Sequence, residues 1–281
     1  MTIDSIHQLI AWEPPFLGNP FISDGILLPE TRMIIFGEAG SWKSNLALYT
    51  MFCLSQGQPW FGYRTRKVTV LKVQAELPKY IDRERAIIYA MATRARPDNI
   101  FFKTVGDTIG GDERVKLDTG WGVQAVTKYL EEAKSRSPGT PLVLLLDPLK
   151  DLMAGKITDE YEVRKFQDNL NTLMRKYNFA TVIFHHSRKH QFAGGEAVDM
   201  GGEEGLGSIH WKNWCDTMLR AVITNPYSGS DTIEYRWEKH RNARKYLKSF
   251  RARWSRGTLL PTKLEEEVVL PDSISLRGLE E

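Results

Sequence analysis

Gly37-Glu38-Ala39-Gly40-Ser41-Trp42-Lys43-Ser44 sets small residues ahead of a Lys-Ser pair. Small residues let successive backbone N–H groups turn inward onto an anion. Lys43 can then reach terminal phosphates, and the Ser44 hydroxyl can ligate Mg²⁺. The short apolar strand Arg32–Phe36 precedes the segment, and a helical pattern from Ser44 to about Leu54 follows. The N-terminus of that helix adds partial positive charge where phosphates would lie. Residues 37 to 44 with Asn45 are therefore expected to cradle ATP. Trp42 stands where such loops usually carry glycine. Its N–H remains usable if the backbone there is already helical, and its indole must then turn away from the phosphates.

Two carboxylates follow at strand ends. Val143-Leu-Leu-Leu146 is apolar and runs into Asp147-Pro148. An acid at the end of a central strand lies beside a phosphate loop and can hold Mg²⁺ directly or through water. Glu76 ends the strand Val68–Ala75, where an acid can polarise the water that attacks a γ-phosphate. A third apolar strand, Thr181–Phe184, ends in His185-His186-Ser187-Arg188-Lys189, and a polar group there can sense the γ-phosphate. The spacing of His185, His186 and His190 also admits a zinc reading, but no cysteine or acid completes the set.

The elements that must position these groups alternate. Strand-like Val68–Gln74, Asn99–Lys103, Leu142–Leu146 and Thr181–Phe184 are separated by helical patterns at Tyr80–Arg94, Val123–Lys134 and around Val163–Tyr177. In the last of these, Val163, Phe166, Leu170, Leu173, Met174 and Tyr177 recur at three- and four-residue spacing, one buried stripe. Strands alternating with amphipathic helices predict an α/β domain with a mainly parallel central sheet flanked by helices. After about residue 210, Thr217–Thr224, Thr232–Glu238 and Leu247–Trp254 read as strands without helices between them, antiparallel additions to one edge. The expected division is an irregular leader at 1–28, an ATPase domain at 29–260, and an acidic tail at 261–281.

Composition fits one globular unit: 281 residues, 42% hydrophobic, 26% charged, net charge +3. No apolar run approaches the roughly 20 residues of a membrane helix. The N-terminus has no secretory pattern, and Cys53 and Cys215 lie far apart, so a reduced cytoplasmic setting is expected.

Together these residues resemble the RecA-type ATPases, and within them the RepA-like branch of plasmid-replication helicases, related to the DnaB-type replicative helicases. The matching features are Gly37 to Ser44, Glu76, Asp147-Pro148, His185-His186 with Ser-Arg-Lys, and Gly207-Ser208 ahead of Asp216. The resemblance implies that Glu76 is the catalytic glutamate and His186 the polar sensor. It also implies that Lys239 and Arg241 form the Lys-x-Arg pair inserted into a neighbour's ATP site, so that the protein assembles as a homo-oligomer, a hexameric ring or a filament.

The segment after the sensor is glycine-rich and polar, and in this fold class the equivalent loop touches single-stranded DNA. Arg188 and Lys189 are placed to meet phosphates, and Phe192 to stack a base. Glu196, Asp199, Glu203 and Glu204 make its second half acidic. The basic residues Arg241, Arg244, Lys245, Lys248, Arg251, Arg253 and Arg256 offer a further electrostatic footprint. The leading expectation is an ATP-driven DNA motor or loader. A RecA-type recombination or annealing ATPase and a nucleotide-switched interaction module with little hydrolysis stand beside it.

Overall fold

The computed structural model describes residues 3–11, 20–105, 115–187, 209–224 and 231–265, and the backbone of 192–193 and 196–197. In chain order the elements are α1 (Ile6–Ala11), β1 (Arg32–Gly37), α2 (Lys43–Gln56), β2 (Thr69–Gln74), α3 (Lys79–Thr93), β3 (Ile100–Thr104) and α4 (Gly120–Arg136). They continue with β4 (Leu142–Asp147), a 3₁₀ turn at Leu149–Leu152, α5 (Glu160–Tyr177), β5 (Phe179–His186), β6 (Phe192–Ala193) and β7 (Glu196–Ala197). Last come α6 (Ile209–Trp214), β8 (Thr217–Ile223), β9 (Thr232–His240), β10 (Phe250–Trp254) and β11 (Pro261–Leu264).

Among the described residues, nine strands form one sheet in the order β11-β10-β9-β8-β1-β5-β4-β2-β3. The six from β8 to β3 run parallel, and β9, β10 and β11 add antiparallel at one edge, as the patterning predicts. All six residues of β4 are buried, because helices cover both faces. Leu46, Ala47 and Met51 of α2 pack on one face with Met33, Val70, Val143 and Val182. Val126 and Leu130 of α4, with the α5 stripe, pack on the other with Ile34, Leu144 and Ile183.

The α5 ends carry clear stop and start chemistry. Asp159 accepts a hydrogen bond from the Glu162 N–H, Glu160 and Glu162 sit in the first turn, and Arg175 and Lys176 in the last. Those charges oppose the helix dipole at both ends.

Three boundaries differ from the sequence expectation. Residues 21–27 are irregular, as expected, but belong to the domain core: Phe21, Ile22, Ile26 and Leu27 are buried beside Tyr235 and Trp254, and the Thr217 hydroxyl donates to the Ile26 carbonyl at 2.8 Å. Pairing in the last hairpin begins at Phe250 rather than Leu247. The sheet continues past residue 260, since Pro261–Leu264 pairs with Arg251–Trp254. A proline can start that strand because it sits at the edge, where no ladder donor is lost.

Candidate functional site

The loops that leave β1, β2, β4 and β5 all emerge at the same end of the sheet, the carboxyl end, where open α/β sheets place their ligands. Register brings the expected groups level: Gly37 is opposite His186, and Gln74 is opposite Asp147. A cavity of about 260 Å³ lies between them, lined by Gly40, Trp42, Lys43, Ser44, Asn45, Arg85, Asp147, Pro148, His185 and His186.

The loop at 37–44 is shaped by two glycines. A Cβ at Gly37 would come within 2.3 Å of the Ala221 carbonyl oxygen on β8, and Gly40 has φ +84°. Helix α2 then starts with no side-chain cap, so its first N–H groups stay available to an anion. The Lys43 ammonium donates to the Glu38 carbonyl and to Ser41 Oγ at 3.1 Å. Burial lowers its pKa to about 8, against the pull of Asp147, Glu76 and Glu38 toward the charged form.

Trp42 departs from the expected helical backbone: it is left-handed, with φ 59° and ψ 19°. Glycine suits that conformation, and a side chain there costs roughly 1–2 kcal/mol. The indole stacks on Trp254 of β10, with ring centres 5.5 Å apart and planes 11° off parallel. Such a pair contributes about 0.5–1.5 kcal/mol beyond its burial, so the stack and the buried area together offset the strain. Trp42 therefore ties the phosphate loop to the antiparallel edge.

Glu76 and His186 meet, as strand-end positions of β2 and β5 suggest: Oε2 and Nε2 lie 3.2 Å apart, both partly exposed. His185 turns the other way and is buried, and its pKa falls to about 3, first through desolvation and then through His186, Lys43 and Lys150. Asp147 is 3% exposed and lines the cavity with Ser44. Its Oδ2 is buried without a hydrogen-bond partner. Two oxygen donors of this kind, one of them an under-satisfied carboxylate, suit a hard divalent cation such as Mg²⁺.

Two cations at this end escaped the sequence reading. Arg85 on α3 lines the cavity, and its Nη1 is buried without a partner. It lies three residues after Asp82 and four before Tyr89, the two buried residues of α3, a spacing that could have marked it. Lys72 on β2 is 1% exposed and sits between Asp82 and Asp147. The strand-like pattern of Thr-Val-Leu-Lys-Val-Gln does not by itself show the burial of the lysine, yet all six positions are buried.

Lys239 and Arg241 occupy the opposite, amino end of the parallel strands, where Met218 pairs with Lys239. Lys239 donates to the carbonyls of Lys212 and Asn213 at the end of α6, and burial lowers its pKa. Arg241 donates to Asp216 Oδ1 at 3.1 Å and to the Asn213 carbonyl at 2.9 Å. Neither residue reaches the cavity of its own chain.

Arg188, Lys189, His190 and Gly207-Ser208 lie outside the described residues. Phe192 is described by its backbone alone, which pairs opposite Ala197 in a short antiparallel ladder. Within the basic run, Lys245 pairs with Asp24 at 3.0 Å and Arg256 with Asp231 at 2.8 Å. Arg251 and Arg253 take the exposed alternate positions of β10.

A family model described as an AAA domain matches residues 15–191. No curated protein matches the chain in sequence. Among solved structures, a DnaB-like replicative helicase, studied with its interactions with primase, superposes with a TM-score of 0.60 at 14% identity. The match covers 84% of this chain and 59% of the helicase, so the chain spans well under two thirds of that protein's length. A KaiC-like protein from the hyperthermophilic archaeon Pyrococcus horikoshii superposes with a TM-score of 0.55 at 12% identity, over 87% of this chain and 94% of that one. The RadB recombinase gives 0.50 at 16%, over 82% and 90%. At these identities the likeness is one of fold.

Proposed function

The chain belongs to the AAA-domain family and has the RecA-type P-loop ATPase fold, and on that premise we propose that it hydrolyses ATP as a DNA-associated motor or loader whose sites are completed by a neighbouring copy. The observation that carries the reading is the convergence of Lys43, Ser44, Asp147 and His186 on one cavity, with Glu76 against His186 at its edge.

The chain's own groups divide the work. The uncapped first turn of α2 and the loop N–H groups bind the phosphates. Lys43 holds the terminal phosphate oxygens as a charged donor. Glu76 accepts a proton from the attacking water, and His186 at 3.2 Å fixes its orientation. A polar contact of this kind lets the state of the γ-phosphate reach the chain beyond β5. Ser44 and Asp147 would hold Mg²⁺, which when bound neutralises charge on the phosphates.

Lys239 and Arg241 sit at the far end of the sheet, so they can serve a site only in another subunit. Cations supplied in this way contribute roughly 10³–10⁵ in rate in the best-studied NTPases. Single-stranded DNA is the proposed second partner, through Arg188, Lys189 and Phe192. The helicase-like fold supports a motor, and the recombinase-like fold supports a strand-coating role equally.

The test is turnover of ATP with and without single-stranded DNA, beside a mass measurement with nucleotide present. Stimulation by DNA together with a ring-sized species supports the motor. Filaments without unwinding of a forked duplex favour the recombinase role. A monomer whose turnover ignores DNA sinks both.

A further inference from the structure

Strands covered on both faces by helices are normally apolar throughout, yet the middle of β2 carries a lysine. Lys72 pairs opposite Leu145 on β4 and Phe102 on β3, and is 1% exposed. It shares the α2 face of the sheet with Val70, as Asp147 does with Leu145. An unpaired ammonium at such a depth costs several kcal/mol. Here it has two acids: Asp82 Oδ1 on α3 at 3.2 Å and Asp147 Oδ2 at 3.3 Å. The contact with Asp147 is electrostatic rather than a hydrogen bond, since Oδ2 has no hydrogen-bond partner. An apolar residue would fill the position at lower cost, so the departure lies where function is expected.

We propose that Lys72 is a positioning residue for the metal-binding acid. Its fixed charge lies beneath Asp147, holds that carboxylate in register with α3, and sets how tightly it takes a divalent cation. The cation is shared: Asp82 draws part of the lysine's field away from Asp147. Because α3 begins three residues after Glu76, the same ammonium links the helix behind the water-activating acid to the strand bearing the metal acid. This rests on the nucleotide-site reading above.

Shared charge predicts shifts of opposite sign. Asp82→Asn leaves Lys72 with Asp147 alone, so divalent binding should weaken, by at least about tenfold if the charges interact through an effective dielectric near 20. Lys72→Met with Asp82→Asn removes the cation and its spare acid together, and divalent binding should tighten by about tenfold. The readout is Mn²⁺ bound by the purified full chain with ADP present, followed by electron paramagnetic resonance, with a melting curve for each variant. Lysine acting as mere packing would move both variants alike or neither. Folded Asp82→Asn protein with undiminished Mn²⁺ affinity overturns the proposal, and this variant decides the matter even if the double variant does not fold. ADP binding measured without metal separates the two levels. Wild-type protein that fails to bind ADP overturns the nucleotide site itself, whereas ADP binding with equal Mn²⁺ affinity in every variant overturns only the role of Lys72.

Discussion

At the carboxyl end of the parallel strands, buried polar atoms are left over. Asp147 Oδ2, Gln74 Nε2, Asn45 Oδ1, Arg85 Nη1 and His185 Nδ1 are buried there without hydrogen-bond partners. At the amino end the charges close on one another. Asp216, 4% exposed, accepts from the Arg32 N–H at 3.0 Å, from Arg32 Nε at 2.9 Å and from Arg241 at 3.1 Å. Buried polar groups are costly unless paired. The amino end also leaves Thr69 Oγ1, Asn99 Oδ1 and His240 Nδ1 unpartnered, but at the carboxyl end Asp147, Asn45, Arg85 and His185 gather around one cavity. That clustering marks the end organised for a ligand. The closed end holds the fold together, and it presents Lys239 and Arg241 on a rigid base.

The largest expected effect belongs to the open end. Glu76→Gln should cut ATP turnover by about 10²–10⁴, the range for a general base, and leave nucleotide affinity within a few-fold. Loss of affinity along with turnover would place Glu76 among the binding groups instead. At the closed end, Asp216→Asn breaks a buried ion pair and should cost about 3 kcal/mol in a urea titration, with nucleotide affinity preserved in the folded fraction. A variant as stable as the wild type would remove the contrast between the two ends.

Acid should strike the open end through His185. Its pKa is about 3 in the folded chain against an ordinary 6.5, because burial disfavours the charged ring. The unfolded chain therefore takes up a proton that the folded one refuses as pH falls below about 6.5. Stability is full above that pH and declines toward about 3. Urea midpoints across this range should fall less steeply in His185→Gln, and equal slopes would contradict the assignment. The smallest effect is at Trp42. Its replacement by glycine relieves about 1–2 kcal/mol of left-handed strain but loses both the stack on Trp254 and the burial of the indole, together about 2–3 kcal/mol. The net change should be a loss of about 1 kcal/mol, read as a few degrees in melting temperature, with nucleotide still bound.

Much of the open end could be read from the sequence because β4 and β5 are apolar almost throughout and each ends in a polar group. Asp147 follows five apolar residues, Leu142 to Leu146, and His186 closes the run from Thr181. Lys72 and Arg85 were hidden for the opposite reason. On a strand, lysine alternating with valine reads as a solvated face, and only the packing of α2, with Asp82 of α3 as the ion-pair partner, makes that face an interior one. Arg85 lies among Arg83 and Glu84, exposed residues of an ordinary charged helix. The strand at Pro261–Leu264 was masked by the acidic run after it, and the burial of Phe21–Leu27 by the prolines and glycines before it. Neither follows from local pattern, because both depend on contacts with distant β9 and β10.

Whether the two ends meet between subunits can be decided by mixing two inactive proteins. Lys43→Ala lacks a working site but keeps Arg241, and Arg241→Ala keeps the site but lacks the cation. Each alone should turn over ATP at least tenfold more slowly than the wild type. Mixed in equal amounts and allowed to exchange subunits, they should recover a clear fraction of the wild-type rate, since some interfaces pair an intact loop with an intact Arg241. Two folded variants that exchange subunits and stay inactive in every proportion would contradict a site completed by its neighbour.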